Sequence, residues 1–332
     1  ELDLVLPSGE LRTCSRHENA DLFHAAIGGF GMLGVISRLV LRTKKVHSGE
    51  LWVQGISTRN LREMLDHIEA HRTTADYLVG WIDCFPGGDA SGRGLIHEAW
   101  YLDEGEDSDP QRTLSLGHQE LPGNILGVFP KSEVWQILRW FNNDPGMRLV
   151  NAAKYVAGLF EGHQGRFRQA HAAFAFLLDY VPNWKWAYGR DPGRSGLIQY
   201  QPFLPADVAH EVMLDLLARC RRAGLVPYLG VVKRHRPDPF WLTHALDGWS
   251  FAMDFKVAPS RRERLWRLCA EMTEVVLSAG GRFYFAKDLV LGAGDVERFL
   301  PADRLEAFRA LKRELDPEAL LATDLSRRVL VW

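Results

Sequence analysis

The sequence has few cysteines, almost no net charge and no long apolar run. Its four cysteines, Cys14, Cys84, Cys220 and Cys269, are far apart and form no CxxC pair, which argues against a zinc-thiolate site and a disulfide framework. The 40 basic and 42 acidic residues nearly cancel, so overall charge favours neither nucleic acid nor an anionic membrane. No segment approaches the roughly 20 apolar residues of a transmembrane helix. We therefore expect a small-molecule partner, no nucleic-acid partner and no transmembrane segment.

The beginning of the sequence lacks an initiating methionine and any element that could pair with its first strand. Residues 1–14 predict a strand, a turn at residues 7–10 and a returning strand. This is typical of a domain entered midway, so we expect an N-terminal portion to be missing. Free cysteines favour a cytoplasmic location, whereas a signal in a missing N-terminus would allow a periplasmic or membrane-associated one.

The second half of the sequence repeats one pattern of secondary structure. The predicted order is strand, helix, strand, twice: 197–204, 206–224 and 226–234, then 248–257, 260–277 with Ser260 as the helix cap, and 282–288. Two such units in tandem predict an antiparallel sheet with both helices on one face.

The remaining segments predict a mixed arrangement of helices and strands. Helices are predicted at 18–27, 59–72, 131–160 with a break at 142–146, and 302–315, and strands at 35–43, 76–85, 95–102 and 172–181. A chain of 332 residues with 46% hydrophobic residues has the bulk for two domains. We expect the α+β class.

A glycine-rich motif, GFGMLG, spans residues 29–34 and matches the pattern GxGxxG. A dinucleotide-binding turn needs a strand before this motif and a helix after it, and here the order is reversed. The glycines could instead let the backbone approach a bulky cofactor, or simply end the preceding helix. The motif alone leaves both interpretations open.

His67 and His71 lie four residues apart on the predicted helix 59–72, a spacing that can bind a metal ion. No third ligand is evident nearby, and HxExH differs from the HExxH signature. We therefore expect a solvated helix face and no metal site.

The segment ENADLFHAAIGGFGMLGVISRLVLR resembles the end of the FAD-binding domain in the vanillyl-alcohol-oxidase-type flavoproteins. The resemblance implies FAD as the cofactor. It places one set of residues along FAD: Gly28, Gly29, Gly31, Gly34, Val35 and Ile36. The phosphate-binding loop of that family lies N-terminal to this element and has no counterpart in the sequence.

Four further segments, LIQYQPFLP, GWSFAMDF, GGRFYFAKD and LDPEALLATDLSRR, resemble bacterial decaprenylphosphoryl-ribose 2′-oxidases in the same order and with similar spacing. This resemblance implies that Tyr284 and Lys287 border the flavin and the substrate. The Lys287 cation would stabilise reduced flavin. The alternative is a lysine that reaches solvent beside a half-buried tyrosine.

The same resemblance implies a substrate pocket formed by Gln201, Lys233, Ser250 and Ala252. We expect Gln201 and Lys233 to lie on adjacent strands and to point into one cleft, where Gln201 suits a hydroxyl group and Lys233 an anionic group. The alternative is a solvated basic loop at residues 233–236. Strand alternation puts Ser250 and Ala252 on one face. Characteristic mycobacterial oxidases have Asn and Cys at the last two positions, so the polar detail of the pocket differs here.

Together these features imply a partial FAD-binding domain of residues 1–49 and 282–332 and a substrate-binding cap domain of residues 50–281. The implied activity is oxidation of a secondary alcohol, on a sugar or polyprenyl-phosphoryl sugar, by hydride transfer to flavin N5, with an unknown electron acceptor. The alternatives are a catalytically inactive binding module and a flavin enzyme for a sterol-like or sugar-acid substrate.

Overall fold

The computed structural model describes residues 1–121, 123–125, 129–161, 165–179, 183–189, 196–287 and 290–330. The strands in these ranges are β1 (Leu2–Val5), β2 (Leu11–Cys14), β3 (Val35–Leu39), β4 (Glu50–Thr58), β5 (Tyr77–Ile82), β6 (Gly94–Tyr101), β7 (Asn124–Ile125), β8 (Phe129–Pro130), β9 (Phe167–Ala170), β10 (Gly196–Tyr200), β11 (Pro202–Pro205), β12 (Leu229–His235), β13 (Gly248–Val257) and β14 (Arg282–Phe283). The helices are α1 (Ala20–Ala26), α2 (Leu61–His71), α3 (Pro110–Thr113), α4 (Leu116–Gln119), α5 (Val134–Phe141), α6 (Asp144–Glu161), α7 (His171–Asp179), α8 (Ala209–Arg222), α9 (Arg262–Ser278), α10 (Ala302–Leu315) and α11 (Asp324–Val329).

A small antiparallel sheet with the order β2, β1, β3 opens the chain. The predicted hairpin is confirmed: Leu2 pairs with Cys14, and Gly9 adopts the positive φ of 86° that the turn requires. Leu2 and Leu4 point into the core, whereas all five residues of β3 are exposed.

A large antiparallel sheet follows, with the order β14, β11, β13, β12, β5, β6, β4, β9, and with β10 also paired to β13. Strands β11 and β12 lie on either side of β13, and β14 pairs with β11. The two tandem units therefore interleave in the sheet. The predicted antiparallel sheet is confirmed. Its central strand, β13, is buried along nearly its whole length.

Helices α2, α8 and α9 cover one face of this sheet, as predicted for α8 and α9. On β13, alternation turns Phe251 and Met253 toward these helices, where they join Met213 of α8 and Met272 of α9 in one buried cluster. Helix α2 lies so close to β5 that a Cβ on Gly80 would meet the sulfur of Met64 at 2.6 Å. The absence of a side chain at Gly80 therefore permits this packing.

The first and last segments share the core of the large sheet. Leu4 of β1, Phe23 of α1, Phe308 of α10 and Val329 of α11 belong to the same buried cluster as the sheet residues. The observed architecture is α+β, in agreement with the predicted class.

The predicted strand at 172–181 is wrong, because residues 171–179 form helix α7 and residues 180–181 lie outside the described residues. The run AAFAFLL shows no polar alternation and is rich in alanine and leucine, which favour a helix. Phe174 anchors the helix among Leu51 and Val53 of β4.

Two predicted boundaries at the second unit are also corrected. The predicted strand at 282–288 ends at Phe283, a 3₁₀ turn occupies Phe285–Lys287, and residue 288 lies outside the described residues. Ser260 does not cap α9, because a short 3₁₀ turn at Pro259–Arg261 precedes the helix and makes no capping side-chain hydrogen bond.

Candidate functional site

The face of the large sheet opposite α8 and α9 carries a row of residues from β13. Ser250, Ala252 and Asp254 alternate along the strand and share this face. Ser250 is the register partner of Lys233 on β12, and Asp254 is the register partner of Gln199 on β10. The predicted placement of Ser250 and Ala252 on one face therefore agrees with the strand register.

A buried histidine completes the polar group around Ser250. Nε2 of His235 lies 2.8 Å from Oγ of Ser250, which is 1% exposed. Burial, together with repulsion from the nearby His244, Lys233 and Arg234, lowers the pKa of His235 to about 4. His235 is therefore neutral near pH 7. Its Nε2 can either donate a hydrogen bond to the serine hydroxyl or accept one from it, depending on the tautomer.

Aromatic rings connect His235 to Tyr284. The ring centroids of Phe203 lie 4.6 Å from those of His235 and His244, and the His244 and Tyr284 centroids are 4.5 Å apart. Arg282 donates from Nη1 to the carbonyl oxygen of Ala245 at 3.1 Å, which fixes the loop that carries His244. Burial lowers the pKa of His244, so it too favours the neutral form.

Asp254 is the buried acid of this face. Its Oδ1 accepts a hydrogen bond from Nε2 of Gln199 at 2.5 Å. Burial raises the pKa of Asp254 to about 6, while the Gln199 hydrogen bond and the charges of Lys287 and Lys185 oppose this shift. The charge of Lys287 thus acts on Asp254, at one end of the row of β13 residues.

The glycine-rich bend after α1 lines a separate concave surface. Gly28, Phe30 and Gly31 adopt positive φ angles of 81°, 53° and 74°. A cavity of about 260 Å³ follows the bend. Its lining comprises Leu4, Ala26, Gly29, Gly31, Met32, Leu33, Gly34, Val35 and Ile36. Of the eight predicted cofactor-binding residues, Gly28, Tyr284 and Lys287 are not in this lining.

Two glycines of the bend have different steric roles. A Cβ on Gly34 would lie 2.7 Å from both the Leu4 side chain and the carbonyl oxygen of Val5, so this glycine lets the bend cross β1. A Cβ on Gly31 would have no neighbour within 4 Å. The chain therefore leaves the space next to Gly31 free for another molecule.

Contacts from two sides hold the bend in place. Phe30 packs edge-to-face on Phe285, with 5.7 Å between ring centroids, which puts the bend beside the turn that carries Tyr284 and Lys287. On the other side, the buried Lys312 donates to the carbonyl oxygen of Met32 at 2.8 Å and forms an ion pair with Asp316.

Asp316 in this ion pair is charged despite its burial. Burial alone would raise its pKa, but hydrogen bonds from Lys312 and from the N–H groups of Leu321 and Leu320 leave the pKa lowered. The pair therefore joins α10 and the following segment to the bend through charge-assisted hydrogen bonds.

The predicted substrate residues occupy different places. Lys233 is exposed beside Ser250, and Tyr284 is half-buried with its N–H donating to the carbonyl oxygen of Gln201 at 3.4 Å. The expectation that Gln201 and Lys233 lie on adjacent strands is wrong. Gln201 lies between β10 and β11, and β13 separates both of these strands from β12.

Sequence reasoning missed His235, His244, Gln199 and Asp254. The period-two pattern of GWSFAMDF, which identified Ser250 and Ala252, also includes Asp254. The two histidines lie in and after the basic segment KRHR, which reads as a solvated loop when strand registers are unknown.

The residues at the bend fit a bulky, partly apolar cofactor such as FAD. The cavity is lined by glycine backbone and by the apolar Val35 and Ile36. The exposed amino group of Lys287 follows on the neighbouring turn. Backbone without side chains, apolar contacts and a nearby cation suit the reducible ring of such a cofactor.

The relatives of this chain include an oxidase and several dehydrogenases that are FAD-dependent oxidoreductases, and this similarity supports the assignment of the chain as a flavin oxidoreductase. The chain is similar to decaprenylphosphoryl-β-D-ribose oxidase from Mycolicibacterium smegmatis, with 25% identity over 99% of the chain and 67% of that protein. It is also similar to cytokinin dehydrogenase 5 from rice, with 28% identity over 51% of the chain and 33% of that enzyme.

A protein from Streptomyces coelicolor described as uncharacterized is 24% identical over 98% of the chain and 85% of its own length. No protein-family model matches the chain. Among the described residues, none of the helices combines the length and the apolar character that crossing a membrane requires.

Proposed function

We propose that this chain belongs to an FAD-dependent oxidoreductase that oxidises a secondary alcohol of a sugar or polyprenyl-phosphoryl sugar, and that it contributes to both the cofactor site and the substrate site. The contact between Phe30 and Phe285 carries the proposal, because it brings the glycine-lined cavity next to the turn with Tyr284 and Lys287. The similarity to a sugar oxidase along nearly the whole chain supports it.

Five residues of the cavity would hold the cofactor: Gly29, Gly31, Gly34, Val35 and Ile36. When bound, FAD supplies the acceptor, at N5, for a hydride from the substrate carbon. Gly31 offers backbone without a side chain in the way, and Val35 and Ile36 offer apolar contact. Gly28 sets the start of the bend through its positive φ rather than by lining the cavity.

Lys287 and Tyr284 would act where the cofactor and the substrate meet. Lys287 follows Phe285 by two residues, and Phe285 packs on Phe30 of the bend. Its positive charge would stabilise negative charge as it develops during reduction. Tyr284, held by His244 on one side and by the backbone of Gln201 on the other, would form a wall of the pocket.

The β13 row would bind the substrate. Lys233 is an exposed cation that suits a phosphoryl group, and the pair of Ser250 and His235 can donate to and accept from a sugar hydroxyl while remaining uncharged. Gln201 and Ala252 would complete the pocket wall.

The proposed division follows from the same placement. Residues 1–49 and 282–332 would form the partial FAD-binding domain, since the bend is tied to α10 by Lys312 and to the Lys287 turn by Phe30. Residues 50–281, which contain most of the large sheet, would form the cap domain.

The test is to express the protein from the natural start of its gene and record its visible absorption spectrum. The expected result is a flavin spectrum that bleaches, without oxygen, on addition of a polyprenyl-phosphoryl sugar. If a cytokinin, a sterol or a sugar acid bleaches the flavin and the polyprenyl-phosphoryl sugar does not, the oxidoreductase assignment stands but the proposed substrate class is wrong. If the protein stays colourless with added FAD, the proposal is wrong and the alternative of a catalytically inactive binding module is favoured.

A further inference from the structure

Three potential metal ligands converge at the C-terminal end of α2, where the spacing of the two histidines alone predicted a solvated helix face. That prediction is wrong, because the buried Glu98 lies against both histidines. His67 and His71 project from one side of the helix, and Glu98 projects toward them from β6. One nitrogen or oxygen atom from each residue lies within 4.8 Å of the other two. We propose that His67, His71 and Glu98 bind a divalent transition-metal ion, for which zinc is the best-suited candidate.

The distances between the three side chains match those of a coordination sphere. Nε2 of His67 lies 3.1 Å from Oε2 of Glu98 and 2.9 Å from Nδ1 of His71, and that Nδ1 lies 3.7 Å from Oε1 of Glu98. Zinc bonds of about 2.1 Å at roughly tetrahedral angles separate neighbouring ligand atoms by about 3.4 Å. An ion among these atoms therefore requires only small side-chain movements.

Glu98 supplies an independent indication. The side chain is 2% exposed, and its Oε1 is a buried atom without a hydrogen-bond partner among the described residues. A buried carboxylate oxygen without a partner is unfavourable, and a bound cation is one of the few groups that satisfies it. This oxygen points into the space between the histidines, as the 3.7 Å distance to His71 indicates.

The donor set favours zinc over magnesium or calcium. Two imidazole nitrogens and one carboxylate oxygen form a typical zinc set, whereas magnesium and calcium prefer oxygen ligands. The His71 side chain is 41% exposed, so a water molecule could take the fourth position from the solvent side. Bound metal would then connect the end of α2 to β6.

The metal site and the proposed substrate-binding row of β13 lie on opposite faces of the large sheet. Glu98 and Gly80 share the face of the large sheet that α2 covers, and the register through β5 and β12 places Phe251 on that same face. Ser250 and Ala252 lie on the opposite face. Metal binding therefore does not depend on the proposed oxidoreductase activity.

The competing interpretation is a metal-free hydrogen-bonded group, since His67 lies within hydrogen-bonding distance of both Glu98 and His71. The experiment titrates Zn²⁺ by calorimetry, and Co²⁺ by visible absorption, into the chelator-treated full chain without flavin. His71→Gln removes one ligand at the exposed end, and Glu98→Gln removes the buried carboxylate. His17→Gln is the matched control because His17 is exposed and distant in sequence.

We expect one equivalent of zinc to bind the wild type and His17→Gln, and to bind His71→Gln and Glu98→Gln at least about tenfold more weakly. Saturating zinc should raise Tm by roughly 3–6 °C in the first two proteins only, because the ion binds only the folded chain. Melting curves without metal establish that each variant folds. Zinc affinities that agree within twofold between wild type and His71→Gln, or an unchanged Tm in the wild type, would overturn the proposal.

Discussion

Single residues at the β13 face have ionisation properties that their neighbours determine. Asp254 is almost completely buried, has Gln199 as its hydrogen-bond partner and has a pKa of about 6. Its folded-state pKa exceeds the ordinary value of 3.8, so the stability it contributes is present below about pH 3.8 and is lost as the pH rises through 6. Ionised Asp254 thus destabilises the fold at neutral pH.

Replacing Asp254 by Asn should therefore stabilise the protein at pH 7.5, by about 1–3 kcal/mol, and have little effect at pH 4. The amide keeps an oxygen for the Gln199 hydrogen bond and cannot ionise. Thermal melts of wild type and Asp254→Asn at both pH values measure the difference. Asp89→Asn, at an exposed position, is the control. An equal Tm difference at the two pH values would contradict the assigned burial effect.

Lys287 is the residue on which the proposed oxidoreductase chemistry depends most. Lys287→Met keeps the length of the side chain and removes its charge, and we expect the rate of flavin reduction by substrate to fall about 10²- to 10³-fold. Lys45→Met removes an equally exposed charge elsewhere and should leave the rate unchanged. Anaerobic stopped-flow absorbance measures both rates. A fall of less than threefold for Lys287→Met would remove this residue from the catalytic group.

For single residues, the alternation of side chains along a strand predicted which residues share a face, but not which residues of other elements they contact. Ser250 and Ala252 share a face because β13 is one uninterrupted strand. The pairing of Glu98 with His67 and of His235 with Ser250 depends on which strands and helices are neighbours in space. No local spacing contains that information.

At the scale of secondary structure, the bend after α1 is the element that links fold and proposed function. Gly31 and Gly9 both have positive φ, 74° and 86°, and at both positions a Cβ would meet nothing within 4 Å. They form a matched pair, because alanine imposes similar backbone strain at each position and only Gly31 lines the cavity.

Gly31→Ala and Gly9→Ala should therefore destabilise the chain by a similar amount, about 1 kcal/mol. Only Gly31→Ala should also weaken FAD binding, by roughly tenfold or more, because the methyl group would occupy the space left for the cofactor. Urea titration gives the stability, and fluorescence titration with FAD gives the affinity. An equal FAD affinity in the two variants would show that the cofactor does not lie at Gly31.

The sequence predicted most elements because their patterns are strong: α10 and β13 have the predicted bounds, and α2, α8 and α9 differ by a few residues at the ends. It failed at α7, where a uniformly apolar run has no period that distinguishes a strand from a helix. It also failed after Phe283, where the chain turns toward Phe30 and leaves the sheet. That turn results from tertiary packing.

For the whole molecule, the distant ends of the chain meet at Lys312. The buried lysine joins α10 to Met32 and Asp316, so the bend, α10 and the segment before α11 depend on one ammonium group. The tandem units in the second half made the sheet predictable, whereas this long-range contact has no local signature. The assignment of residues 1–49 and 282–332 to an FAD-binding domain stays a prediction.

Lys312→Met should destabilise the protein by about 3–5 kcal/mol, because it leaves the buried Asp316 without its cation. The double variant Lys312→Met with Asp316→Leu should recover part of this loss, since it removes the uncompensated charge. Thermal and urea unfolding of the three proteins measure this. A single variant within 1 kcal/mol of the wild type would mean that the ion pair contributes little to the fold.

Strand β3 bears on how the chain behaves at high concentration. It is an edge of the small sheet in the described structure, and Val35, Ile36 and Leu39 are each more than 40% exposed. An exposed apolar edge can add a strand from a second molecule through its free N–H and C=O groups. Light scattering should therefore increase with concentration, and Leu39→Lys should suppress the increase. Strand β3 would therefore serve two purposes, since Val35 and Ile36 also line the proposed cofactor cavity. Without a bound cofactor we expect ordered aggregation through this strand, so that purification would need low protein concentration or added flavin.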